Sequence, residues 1–170
     1  MNKICEGRKV YLRSIELEDA ELIVNWKSDN LVRKMSVGLN TEINYENQYE
    51  DIKISIDEGE EIYLIIVLSD TDESIGYIRI NWMDNSRRIA WLRFGLGSHR
   101  GEGYAKDGLE SIINHLFSYG VHRIDAEVLK FNYPSQGVLR SLGFKHEGTR
   151  RDAYYEGTEY SDVLIFGLIG

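Results

Sequence analysis

The segment Ile89-Ala-Trp-Leu-Arg-Phe-Gly-Leu96, followed by Gly97-Ser-His-Arg-Gly-Glu-Gly103 and the run opening at Tyr104, decides the fold. The first part has the length and apolar content of a strand. The middle is a glycine-rich loop. The last part is an amphipathic helix, with Ala105, Leu109, Ile112, Ile113, Leu116 and Phe117 on one stripe at helical spacing. Gly120 is placed to end it. A strand that enters a helix through glycines has a plain reading, in which glycine only supplies dihedrals that other residues avoid. It also has a functional one. The unbonded N–H groups at the helix start, with the positive end of the helix dipole, bind an anion. Gly101 and Gly103 would let a phosphate approach the backbone, and Arg100 would add a cation. The loop is not a P-loop, since no Gly-Lys-Ser/Thr is present. Nor is it G-x-G-x-x-G, because Lys106 stands at the place of the last glycine.

Working outward, Val10 to Arg13 alternates as a first strand, and Glu18 to Trp26 puts Ala20, Ile23 and Trp26 on one face of a short helix. Tyr45, Tyr49, Ile52 and Ile56 define a second helix that stops before Gly59. Ile62 to Leu68 is a continuous apolar run of buried-strand length, and Ile75 to Ile80 is the strand after it. Beyond the glycine loop and its helix, Arg123 to Leu129 alternates as a strand and Ser135 to Leu142 forms a helix closed by Gly143. Two further strands flank a Glu156-Gly157 turn. The order β-α-α-β-β-β-α-β-α-β-β predicts an α+β fold with one mixed sheet flanked by helices. With 170 residues, a single proline and no repeat or linker, residues 1–170 read as one domain.

Composition narrows the function. The net charge of −8 opposes sequence-independent phosphate-backbone binding, so no nucleic-acid partner is expected. No apolar run approaches 20 residues, so no membrane span is expected either. The start lacks a leader-like apolar core, and Cys5 has no second cysteine to pair with, which suits a reduced, cytoplasmic setting. The four histidines show no ligand spacing, and no metal is expected.

Arg100-Gly-Glu-Gly-Tyr-Ala105 resembles the R/Q-x-x-G-x-G/A pyrophosphate loop of the GNAT N-acetyltransferases. Ile75-Gly76, Asn132-Tyr-Pro-Ser135, Leu142-Gly-Phe144 and the closing Arg151-Asp-Ala-Tyr-Tyr-Glu-Gly segment resemble further parts of that family's pattern. Leu12-Arg13, Asp19 and Asn25-Trp26-Lys-Ser-Asp-Asn30 are similar to the branch that contains ribosomal-protein alanine and spermidine acetyltransferases. The resemblance implies a GNAT-like fold and acetyl-CoA as co-substrate. It implies Phe94 and Leu96 against the pantetheine, the segment Arg100, Gly101, Glu102, Gly103, Tyr104, Ala105 and Lys106 around the diphosphate, and Asn132 bonding the pantetheine. It implies transfer of acetyl to a primary amine: a protein N-terminus, a polyamine or an amino sugar. Members of the branch often pair as homodimers.

The catalytic residues are less complete. Many relatives carry a glutamate early in the Ile89–Leu96 strand to serve as general base. Ile89-Ala-Trp-Leu-Arg93 has no carboxylate, so the base is unassigned, with Asp162 or a tyrosine of the closing hairpin as open alternatives. Trp91 fills the space and, with Tyr155, is assigned to the acceptor pocket. Ser135 is the candidate general acid, and a serine at that place is also an ordinary helix N-cap. Leu139 stands where spermidine acetyltransferases place a tyrosine. The missing glutamate motivates an alternative, a non-catalytic coenzyme A-binding regulatory module.

Overall fold

The computed structural model describes residues 2–35 and 42–170. The strands are β1 (Lys3–Glu6), β2 (Val10–Ser14), β3 (Glu61–Leu68), β4 (Ser74–Trp82), β5 (Ile89–Leu96), β6 (Arg123–Leu129), β7 (Lys145–Tyr155) and β8 (Tyr160–Ile169). The helices are α1 (Ala20–Ser28), α2 (Asn30–Met35), α3 (Tyr45–Glu58), α4 (Tyr104–Ser118) and α5 (Tyr133–Ser141). All eight strands form one sheet in the order β1-β2-β3-β4-β5-β6-β8-β7. Every neighbouring pair is antiparallel except β5 and β6, which are parallel and joined through α4. The mixed α+β sheet is as expected, with β1 and α2 added to it.

Strand alternation divides the core between the two faces. Leu64 and Ile66 of β3, Ile78 and Ile80 of β4, and Ala90 and Leu92 of β5 pack against Leu109, Ile112 and Leu116 of α4 and Leu139 of α5. On the other face Tyr63, Ile65 and Val67 meet Ala20, Ile23 and Trp26 of α1 and Ile52 of α3. Helices on both faces explain why β3 reads as an unbroken apolar run rather than an alternating one. One helix face differs from expectation. α3 buries Gln48, Ile52 and Ser55, while Tyr45 and Ile56 are exposed. Gln48 and Asp51 are turned toward ionic partners described below, which rotates the helix away from its most apolar stripe.

Arg13 and Asp19 form a buried bidentate pair at 2.8 and 2.7 Å, and Asp19 also accepts the Glu16 N–H at 2.8 Å. This pair locks the end of β2 to the entry of α1. Asp107, in the first turn of α4, accepts the N–H groups of Arg8, Lys9 and Val10 at 2.8–3.1 Å and so fixes the β1–β2 turn to the head of the central helix.

Candidate active site

Parallel pairing between β5 and β6 runs from Ile89 with Arg123 to Leu92 with Ala126 and stops there. β5 continues to Leu96 and β6 to Leu129, so the strands fork. Beyond Leu92 the β5 edge facing β6 has no strand partner. A cleft of about 610 Å³ opens at this fork, a size suited to a small ligand. Trp91, Arg93 and Phe94 of β5, Glu127 of β6, and Asn132 and Ser135 at the start of α5 line it. Tyr77 and Arg79 of β4 and Gln48 and Asp51 of α3 complete the wall.

β5 leads directly from this cleft into the glycine loop. The Gly97 N–H donates to the Ile75 carbonyl at 2.8 Å, and a side chain at Gly97 would run into the Trp26 ring. Trp26 is therefore core, and it seats the loop. Gly101 and Gly103 have φ of +80° and +83°, the left-handed region that other residues enter at a cost, and both face open space. Gly103 is the N-cap of α4, and its carbonyl accepts the Asp107 N–H. Tyr104, Ala105 and Lys106 are the first three residues of the helix, where N–H groups have no carbonyl a turn behind to receive them. Arg100 is exposed, and its Nε donates to the Leu96 carbonyl at 3.2 Å.

A polar network crosses the opposite side of the cleft. Arg79 makes bidentate pairs with both Asp51 (2.8 and 2.8 Å) and Glu61 (2.7 and 2.6 Å). Asn81 donates to Glu61 at 2.8 Å and accepts from Arg93 at 2.6 Å. Lys27 Nζ donates to the Gln48 oxygen at 3.0 Å, and the Gln48 amide reaches Asp51 at 3.3 Å. Burial would raise the Glu61 carboxyl, but hydrogen bonds and charge from Arg79 outweigh it and hold the group below the usual carboxylate range. Burial pushes the Lys27 ammonium down to about 8, against the pull of Asp51. None of this network was legible as a motif. Its links to Arg79, Asn81 and Lys27 span 12 to 28 residues, and its members belong to two helices and three strands.

The structure brings Trp91, Phe94, Asn132 and Ser135 to one cleft. Leu96 lies at the end of β5, packed against the core below the loop. Tyr155 is not among the cleft residues, which corrects the expectation for it. It sits at the β7–β8 hairpin tip, half exposed, stacked on Tyr160 at 4.9 Å and donating its hydroxyl to the Gly157 carbonyl. The N-cap reading of Ser135 is also corrected. α5 begins at Tyr133, and Asn132 is the cap, its side-chain oxygen accepting the Ser135 N–H at 3.3 Å. Asp162 accepts the Asp152 N–H at 3.0 Å and lies 3.5 Å from Lys130, the strand-end role rather than that of a base in the cleft. Among the described residues, no three His, Cys, Asp or Glu side chains are grouped to hold a metal, and no helix is long and apolar enough to cross a membrane.

Known proteins share this architecture. Residues 9–145 match the Acetyltransferase (GNAT) domain family. The uncharacterized N-acetyltransferase p20 of Bacillus licheniformis is 33% identical over 168 residues, covering 95% of this chain and 93% of the relative. A solved structure of RimL, a ribosomal L7/L12 alpha-N-protein acetyltransferase in complex with coenzyme A, superposes with a TM-score of 0.85 at 18% identity, covering 96% and 95% of the two chains. A chimera of the spermidine N-acetyltransferase SpeG from Vibrio cholerae gives 0.84 at 18% identity, covering 95% of each. The family match across most of the chain, together with the full-length relative, shows that this chain belongs to the GNAT family of N-acetyltransferases.

Proposed function

We propose that the chain moves the acetyl group of acetyl-CoA to a primary amine held in the cleft at the β5–β6 fork. One observation supports this above the others: a single strand, β5, contributes to the cleft wall, loses its β6 partner there, and runs on into a loop of exposed backbone donors. The open space beside Gly101 and Gly103 fits a diphosphate, which a Cβ at either position would crowd. In this reading the amides from Gly101 to Lys106 hold the diphosphate, Arg100 adds a screened cation, and Phe94, Leu96 and Asn132 flank the pantetheine. Acetyl-CoA supplies an activated thioester whose carbonyl carbon an amine can attack.

The chain's own task is to present that amine neutral. A free alkylamine with a pKa near 10 is protonated about a thousandfold at pH 7. β5 offers no carboxylate to remove the proton, yet Lys27 shows what the cleft does to an ammonium: burial, helped by the charges of Arg79 and Arg93 and opposed by Asp51, brings it to about 8. An acceptor ammonium entering the same wall experiences the same desolvation. Ser135, at the cleft and not needed as a cap, is assigned as proton donor to the departing thiolate. Pairing as a homodimer belongs to the same proposal, and a monomer by light scattering at micromolar concentration would remove it.

The test is free thiol released from acetyl-CoA across a panel of primary amines. Gly101→Ala should weaken acetyl-CoA binding at least tenfold, about 1.4 kcal/mol, while the fold persists. Unchanged affinity would overturn the loop assignment. Tight acetyl-CoA binding with no thiol released by any amine would leave the non-catalytic coenzyme A-binding module as the function.

A further inference from the structure

Three buried side-chain polar atoms lack a hydrogen-bond partner among the described residues: the Tyr63 hydroxyl, Trp91 Nε1 and Arg93 Nε. All three residues line the cleft at the fork. Each such atom loses its hydration without replacement, and native proteins keep few of them. Their clustering in one cleft therefore points to a ligand. Trp91 and Arg93 are two apart on β5 and share a face, with the Arg93 guanidinium 4.5 Å from the Trp91 ring centre. Indole and guanidinium N–H groups only donate, and a tyrosine hydroxyl can donate as well. What completes the set is an acceptor.

Charge gives the same answer. Arg93 forms no ion pair with a carboxylate among the described residues, and its guanidinium donates to the neutral Asn81 oxygen. Its cross-strand neighbour is another cation, Arg79, and like charges in that position repel. Burial, then Arg79, push the Arg93 guanidinium below its ordinary range. The nearby carboxylates relieve it only in part: Glu61 attracts Arg93 across the Asn81 bridge but is itself ion-paired to Arg79. Asp51 is bound to Arg79, Glu127 is bound to Arg150 at 2.8 Å, and Glu42 and Glu50 are exposed at the mouth.

We infer that the acceptor carries, besides its amine, an anionic oxygen group, a carboxylate or a phosphate, which Arg93 holds with Trp91 and Tyr63 beside it. This rests on the cleft being the acceptor site. A guanidinium matches either group with two parallel hydrogen bonds. A polyamine meets a buried cation instead and is excluded as the preferred acceptor.

The experiment measures binding by calorimetry in the absence of acetyl-CoA, so that it stands apart from turnover. β-Alanine is compared with propylamine, O-phosphoethanolamine with ethanolamine, and spermidine serves as the polycation. The anionic member of at least one pair should bind at least tenfold tighter than its partner, and the pair that responds identifies carboxylate or phosphate. Arg93→Gln should abolish that preference. Trp91→Phe, which keeps the ring and removes one donor, should reduce it severalfold, and it carries the test if Arg93→Gln fails to fold by circular dichroism. Equal or tighter binding of spermidine or the neutral amines, no binding of either anion, or a preference that survives both substitutions overturns the inference. Arg93-dependent anion binding without thiol release from any amine would count against the acetyltransferase reading and leave the anion site standing.

Discussion

Arg79 and Arg93 stand directly opposite each other on β4 and β5, yet the fold neutralises only one of them. Arg79 holds two carboxylates in bidentate pairs, while Arg93 is given an amide oxygen. The two should respond very differently to removal. Arg79→Met strands Glu61, whose side chain is only 10% exposed, and should cost about 2–4 kcal/mol in urea unfolding. Arg93→Gln removes a repulsion as well as a ring contact and should stay within about 1 kcal/mol of wild type. The Glu61 pair also sets an acid limit. Its carboxyl is depressed in the folded state, so its contribution is complete above the ordinary carboxylate value near 4.5 and is lost as pH falls through the lower folded value. Arg79→Met should lose that part of the acid dependence, read from midpoints between pH 3 and 7.

Lys27 gives a prediction of the opposite sign. Its folded value near 8 lies below its ordinary 10.5, so between those values the unfolded chain binds more protons and stability rises with pH. Below pH 8 the buried charge is a full penalty. Lys27→Met should therefore stabilise the protein at pH 7 by about 1–3 kcal/mol, an advantage that disappears by pH 10.5. Denaturant curves at the two pH values check this. A stability gain independent of pH would mean the lysine is not desolvated.

Local signals were legible in the chain and distant ones were not. The glycine loop, the α4 stripe and the buried β3 run each carry their meaning within 15 residues, and each forms where the pattern places it. Arg13 and Asp19 were each visible within a family resemblance, but that they pair was not. β1 escaped because Lys3-Ile-Cys-Glu has too few apolar residues to alternate, and pairing with β2 across a bulge makes it a strand. α2 is six residues long and begins where Asp29 accepts the Leu31 and Val32 N–H groups, a capping signal inside Ser28-Asp-Asn30. Arg93 occupied a polar position of a strand like any other. Its significance lies in what faces it, Arg79 at 14 positions' remove, which no local pattern encodes.

His99 straps the glycine loop to the β3–β4 turn. Its Nε2 lies 3.1 Å from Glu73 and its Nδ1 3.2 Å from Glu102, in a left-handed backbone conformation with φ +54°. The bond to Glu73, against an opposing effect of burial and with help from Glu102, raises its titration above the ordinary 6.5. The charged strap is therefore fully present below pH 6.5 and is lost as pH rises through the raised value. Two carboxylates then stand beside the proposed diphosphate site without a cation between them. Acetyl-CoA affinity should weaken across that titration, and His99→Gln should flatten the profile. Proton NMR of the imidazole should place the midpoint above 6.5, with Glu73→Gln returning it toward that value.

Asn132 and Ser135 divide two roles that coincide when a serine begins a helix. The Asn132 side chain caps α5, so Asn132→Ala should lower stability by about 1 kcal/mol. Ser135 contributes only its backbone N–H to that cap, and its side chain lines the cleft. Ser135→Ala should therefore leave the melting temperature within a degree or so of wild type, which corresponds to a few tenths of a kcal/mol. If its hydroxyl protonates the departing thiolate, turnover should fall by roughly 10²-fold with acetyl-CoA affinity unchanged. Because no cap is lost, any fall in turnover per folded molecule is a chemical effect and not a stability effect. Full turnover in Ser135→Ala would assign the proton to water or to the acceptor's own ammonium.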